Sequence, residues 1–140
     1  MSPSAWLVVH LVAVAALAGV GWVVQLVVYP AFALVAVPGW ARYHERHMRA
    51  ITRVVALPWL VQAVSTAALL VAPGAGGRGA AVALAGLALV TVAATVGAAV
   101  PAHGRLAAPP APADLTVLLR ANLARTLAWT GSTVLAAVLL

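Results

Sequence analysis

The chain has 140 residues, 65% of them hydrophobic, with 7% charged residues, no cysteine and a formal net charge of +6. A soluble domain carries roughly a quarter of its residues as charges, so this chain's outer surface is expected to face lipid. Disulfides, thiolate metal sites and C-x-x-C redox chemistry are excluded, and the positive charge is expected to meet lipid headgroups rather than nucleic acid.

A bilayer core takes about 20 apolar residues per helix, and four segments qualify. The first span covers about 6–29 and runs on toward Val37. Ala16-Leu17-Ala18 looks like a signal-peptidase site, but no basic region precedes it and the apolar run continues past it, so a span is expected there. The second span covers about 54–72. Pro73-Gly74 with Gly76-Gly77 then reads as a tight turn. The third span, about 79–100, has no charge at all, and the fourth covers about 118–140. The connections 38–53 and 101–117 separate these spans, with Asp114 a candidate N-cap for the last helix. The expected fold is all-α, one integral-membrane antiparallel four-helix transmembrane bundle.

Orientation follows from arginine, since all eight basic residues are arginine. Arg42, Arg46, Arg49, Arg53, Arg105, Arg120 and Arg125 lie toward one end, and Arg78 alone lies toward the other. Arginine accumulates on the cytoplasmic side, so both termini are expected outside and both arginine-bearing connections inside. The Ala-, Val-, Pro- and Arg-rich composition points to a high-GC bacterium, and hence to a bacterial inner membrane.

Topology does not explain the histidines. His44 and His47 sit i, i+3 and share a face if their segment is helical, with Glu45 between them and His103 arriving from the other connection. Tyr29 and Gln25 reach the same end from the first span. Asn122, Thr126, Thr130 and Thr133 form one face of the last helix beside Trp129, and Trp59, Gln62 and Thr66 form one on the second. Polar groups in hydrocarbon need partners, so these faces should point inward, either hydrogen-bonding helices together or lining a pocket open to the cytoplasm. Arg125 lies one to two turns into its span and has only Glu45 and Asp114 as carboxylate candidates, so it is expected to snorkel to the interface, to pair with one of these, or to meet an anionic or carbonyl-bearing ligand. His10 lies about 28 Å from Tyr29 along a helix rising 1.5 Å per residue and is expected to make a helix contact instead.

This pattern supports several chemistries. His44, His47 and His103 would suit zinc, copper or iron through imidazole, although "HERH" is not the H-E-x-x-H zincin pattern. Without a metal, His44 or His47 would act as base while Arg125 and Tyr29 polarise a substrate oxygen. Gln25, Arg49, Trp59, Gln62, Asn122, Thr126 and Trp129 complete the candidate binding set for a lipophilic small molecule. A small oligomeric transporter or channel, or a non-catalytic subunit, are the rival classes. The small-residue faces Ala15/Gly19, Gly79/Ala83 and Ala93/Gly97 would permit homo-oligomers, while the neutral centres of the spans argue against a proton-coupled pump.

At "GWVVQLVVYPAFALV", "YHERHMRAIT" and "NLARTLAWT" the chain resembles a widespread group of uncharacterised four-span bacterial membrane proteins. In these, Q-x-x-x-Y-P, Y-H-x-x-H-x-R-x-I and N-x-x-R-T-x-x-W recur in that order. The resemblance falls on Gln25, Tyr29, Pro30, Tyr43, His44, His47, Arg49, Asn122, Arg125, Thr126 and Trp129. In size and span layout the chain is also similar to the anthrone oxygenase-like membrane proteins, which implies an oxidoreductase or oxygenase-like activity on a polyketide-type substrate.

Overall fold

The computed structural model describes residues 1–106 and 111–140. They form four helices and no strand: α1 (Pro3–Phe32), α2 (Val37–Val71), α3 (Gly77–Arg105) and α4 (Pro112–Val138). The first three are long and apolar enough to cross a membrane. The fourth, expected as a span on length, is the most polar of the four expected spans because Asn122, Arg125, Thr126, Ser132 and Thr133 interrupt it. Most of these side chains are buried against α1 and α3, so the polarity of α4 is turned inward.

Two expected boundaries differ. The stretch 38–53 is no separate connection but the first turns of α2, which continue without a break to Val71. Charged side chains at i, i+3 and i+4, such as Glu45 and Arg49, support a helix there even outside an apolar setting. Of the connection expected at 101–117, residues 101–105 extend α3, 112–117 open α4, and 107–110 lie outside the described residues. Pro112 starts α4 after Ala111 as N-cap, because proline is pre-set for the first helical turn and needs no donor there. Asp114 therefore sits in the first turn rather than at the cap, and accepts a hydrogen bond from Arg105 Nε at 2.6 Å.

The helices alternate in direction, as the packed layers show. At one end Leu7, Leu69, Ala81, Leu84 and Ala136 bring together the start of α1, the end of α2, the start of α3 and the end of α4. Gly77 adopts φ +63° in the α2–α3 turn, which an L side chain resists. In the middle, Val14, Leu17 and Ala18 pack on Trp129. At the arginine-bearing end, Tyr29, Phe32, Trp40, Ala102, Leu106 and Leu118 form the third cluster.

Helices α1 and α3 share a local device. Each widens to a π-helical turn, Val24–Val28 and Thr95–Ala99, just before a proline, Pro30 and Pro101. Proline lacks an N–H and its ring crowds the carbonyl four residues back, and one extra residue in the turn relieves that crowding. Both wide turns face the same cavity.

Candidate functional site

A cavity of about 300 Å³ opens between the middle layer and the arginine-end cluster. Its floor comes from α1 (Val20, Gly21, Val24, Tyr29) and α4 (Asn122, Arg125, Trp129), and its walls from α2 (Met48 to Trp59) and α3 (Thr95 to His103). The wide turn of α3 and the end beyond it make no backbone contact with α2 among the described residues. The exposed lining residues Thr52, Ala56 and Val100 belong to these two helices, so the mouth lies between α2 and α3. At the arginine-bearing end Trp40 Nε1 donates to Leu106 O at 2.6 Å, and the His44 and His103 rings stack beside it.

Arg125 dominates the floor electrostatically. Its Nη1 donates to Thr95 Oγ1 at 3.3 Å and its Nη2 to Asn122 Oδ1 at 3.0 Å. The guanidinium lies 5.8 Å from the centre of the Trp129 ring, within cation–π reach, and its Nε is buried with no hydrogen-bond partner among the described residues. Both carboxylates of the chain are committed elsewhere, Glu45 to Arg49 at 2.7 Å and Asp114 to Arg105. Arg125 is thus held by neutral acceptors alone.

Asn122 locks this floor to α1. Its Nδ2 donates to Gly21 O at 3.0 Å and Gln25 Oε1 at 2.9 Å, with Thr126 Oγ1 at 3.5 Å. The approach depends on Gly21, where an added Cβ would lie 2.5 Å from Thr126 Oγ1. Trp129 Nε1 donates to Gln62 Oε1 at 3.0 Å, which leaves Gln62 Nε2 buried without a partner among the described residues. Trp59 meets Trp129 edge-on at 6.5 Å between ring centres.

The third part is a chain of hydrogen bonds. His44 Nε2 lies 3.1 Å from His103 Nδ1, and His103 Nε2 lies 3.1 Å from the Tyr29 hydroxyl. His44 stacks on Trp40, and His47 packs edge-on against Phe32 with its Nε2 buried and without a partner among the described residues. Burial pushes His44, His47 and His103 below the ordinary imidazole value, and for His103 the neighbouring His44, His47 and Arg125 push further in the same direction. All three are therefore neutral at pH 7.

The expected metal set gathers in space but not as ligands. Both nitrogens of His103 are engaged, one by His44 and one by Tyr29, and the described residues contain no group of three His, Asp or Glu arranged to hold a metal ion. The residues present do not fit a zinc, copper or iron centre. Of the other expected site residues, Tyr29, Trp59, Asn122, Arg125 and Trp129 line the cavity, and Gln25, Gln62 and Thr126 support its floor from behind. Arg49 stands apart, 60% exposed in its pair with Glu45. His10 makes a helix contact: its Nδ1 lies 3.0 Å from Ser65 Oγ and its Nε2 3.0 Å from Ser132 Oγ. Ser65 already donates to Val61 O, so His10 Nδ1–H donates to Ser65 and Nε2 accepts from Ser132.

Sequence reasoning missed Thr95, Gly21, Phe32 and Trp40, and gave His103 only a metal role. Thr95 meets Arg125 30 residues away, Trp40 meets Leu106 66 away and Gly21 meets Asn122 101 away, and no local pattern marks such pairings; a lone proline after an apolar run was the one available signal for the wide turns. No family model, curated protein or solved structure matches the chain, so the family likeness rests on its three motifs.

Proposed function

We propose that this is a multi-pass membrane protein that binds a lipophilic small molecule through a carbonyl or carboxylate oxygen at Arg125. The observation that carries this reading is the state of that arginine. It sits half-buried beside an apolar cavity with only neutral acceptors and a buried, unpartnered Nε, and a cation so placed gains most from an anionic or strongly polar oxygen. Val, Ile, Ala, Met and Trp side chains make up most of the lining, so the rest of the ligand is apolar.

In this reading the chain crosses a bacterial inner membrane four times, over about 6–29, 54–72, 79–100 and 118–140, as an antiparallel bundle. α4 counts as a span because its polar side chains face its neighbours. The arginine asymmetry places both termini outside, and the mouth between α2 and α3 then opens to the lipid of the cytoplasmic leaflet. Gly19, Gly79 and Gly97 face open space, which suits association between copies. Tyr29 and His103 at the cavity wall favour acid–base chemistry over metal-assisted chemistry. Transport fares worse, because beyond Trp129 the bundle is filled by His10, Ser65 and Ser132.

The test uses 8-bromooctanoate, whose carboxylate would reach Arg125 while its bromine quenches tryptophan. Wild-type protein in detergent should show saturable quenching, competed by octanoate and reported by Trp59 and Trp129. A charge-assisted hydrogen bond contributes about 1.5–3 kcal/mol, so Arg125→Leu should weaken binding at least about tenfold. Quenching that is linear in probe, or equal in the variant, would refute the site.

A further inference from the structure

The hydrogen-bonded chain His44–His103–Tyr29 joins the arginine-bearing surface to the wall of the cavity. His44 and His103 are both partly buried and Tyr29 is buried, so the hydrogen-bonded chain leads inward to Tyr29. Each of its two links is 3.1 Å, within the range for proton exchange between heteroatoms. Every member can both give and accept a proton when neutral. Tyr29 and His103 line the cavity that Arg125 floors.

We infer that His44, His103 and Tyr29 form a proton relay that serves the ligand oxygen held at Arg125, which makes the site an acid–base centre for carbonyl–enol chemistry. The inference rests on the proposed ligand for its purpose, but not for its existence as a relay.

The relay has two neutral arrangements. In the first, His44 Nε2–H donates to His103 Nδ1, and His103 Nε2–H donates to the Tyr29 oxygen, which leaves the phenol proton free to face the cavity. When Tyr29 gives that proton to an enolate oxygen, the His103 Nε2 proton moves to the phenolate oxygen. The His44 Nε2 proton moves to His103 Nδ1, and water supplies one proton to His44 Nδ1. The result is the second arrangement, in which Tyr29 O–H donates to His103 Nε2 and His103 Nδ1–H donates to His44 Nε2.

Taking a proton from an enol oxygen reverses each move. Tyr29 gains the ligand proton, its own passes to His103, one passes from His103 to His44, and His44 Nδ1–H returns one to water. A turnover that delivers one proton and removes one restores the starting state, with no oxidant or reductant consumed. The Arg125 guanidinium beside this oxygen favours its anionic form, which is the form that accepts the proton. His47 sits beside the relay but outside it, since its Nε2 has no hydrogen-bond partner among the described residues.

The chain has four histidines, so nitrogen-15 labelling of histidine gives a readable spectrum of ligand-free protein in detergent. Single His→Gln variants assign the signals. The expected result is that both ring nitrogens of His103 show shifts averaged between their protonated and unprotonated extremes, as exchange between the two arrangements requires. Tyr29→Phe should abolish the averaging and fix His103 with its proton on Nδ1, because a buried Nε2–H would then lack an acceptor. His44→Ala, at a half-exposed position, should also collapse the averaging to one tautomer.

A single fixed tautomer in wild type would overturn the relay, and so would averaging that survives both substitutions. If Tyr29→Phe fails to fold, the wild-type and His44→Ala spectra decide alone. Loss of 8-bromooctanoate binding with averaged His103 shifts intact would refute the ligand reading and leave the relay standing. The reverse pattern would leave a binding site without one.

Discussion

Asn122→Ala probes the joint between α1 and α4 that positions Arg125. The Asn122 side chain is 1% exposed and takes part in three hydrogen bonds of 3.0 Å or less, to Gly21 O, Gln25 Oε1 and from Arg125 Nη2. Gly21 O keeps a helical donor, the N–H at position 24, so its loss is small. Gln25 Oε1 and Arg125 Nη2 are left without partners, which costs about 1–3 kcal/mol each in a fully buried site. Interhelical hydrogen bonds in bilayers average nearer 0.6 kcal/mol, because the unfolded chain in lipid also finds partners. The lower figure applies here, since both orphaned side chains are only half-buried and can turn toward the cavity. Two such bonds put the expected loss near 1.2 kcal/mol, a factor of about 8 in the folding equilibrium. Reversible unfolding in mixed micelles measures it. A loss below about 0.5 kcal/mol would mean that the amide is a passive filler, and the account of how Arg125 is aimed would fail.

Gly21→Ala should cost about 1–3 kcal/mol, as overpacking does, because the new methyl meets the Thr126 hydroxyl and pushes α1 from α4; an unchanged unfolding midpoint in the same assay would refute the close approach. pH should act through His44, His47 and His103, whose folded values are lowered by burial from 6.5. The unfolded chain then binds more protons below pH 6.5, so stability is complete above that value and falls as pH drops from it toward the folded values. Thermal melts from pH 8 to pH 5 measure this, and His103→Gln should flatten the decline; a melt independent of pH would contradict the burial of the cluster.

Much of the site was legible because it lies on single helices. Asn122, Arg125, Thr126 and Trp129 recur at spacings of three and four, and so do Gln25 and Tyr29; helical geometry alone puts each set on one face. The end of the molecule on which they gather followed from the arginines. The role of His103 could not be read, because it depends on which ring nitrogen meets His44 and which meets Tyr29, partners 59 and 74 residues distant. The glycines divide in a way no local pattern marks: Gly19, Gly79 and Gly97 have nothing near them within the chain, while Gly21 is where α1 and α4 touch.

The most direct test of the account is native mass spectrometry of the protein released from its own membranes. Wild type should retain an apolar molecule carrying a carbonyl or carboxylate oxygen, and Arg125→Leu should arrive without it while keeping its fold. No retained molecule in wild type, or the same molecule on both proteins, would contradict a ligand site at Arg125.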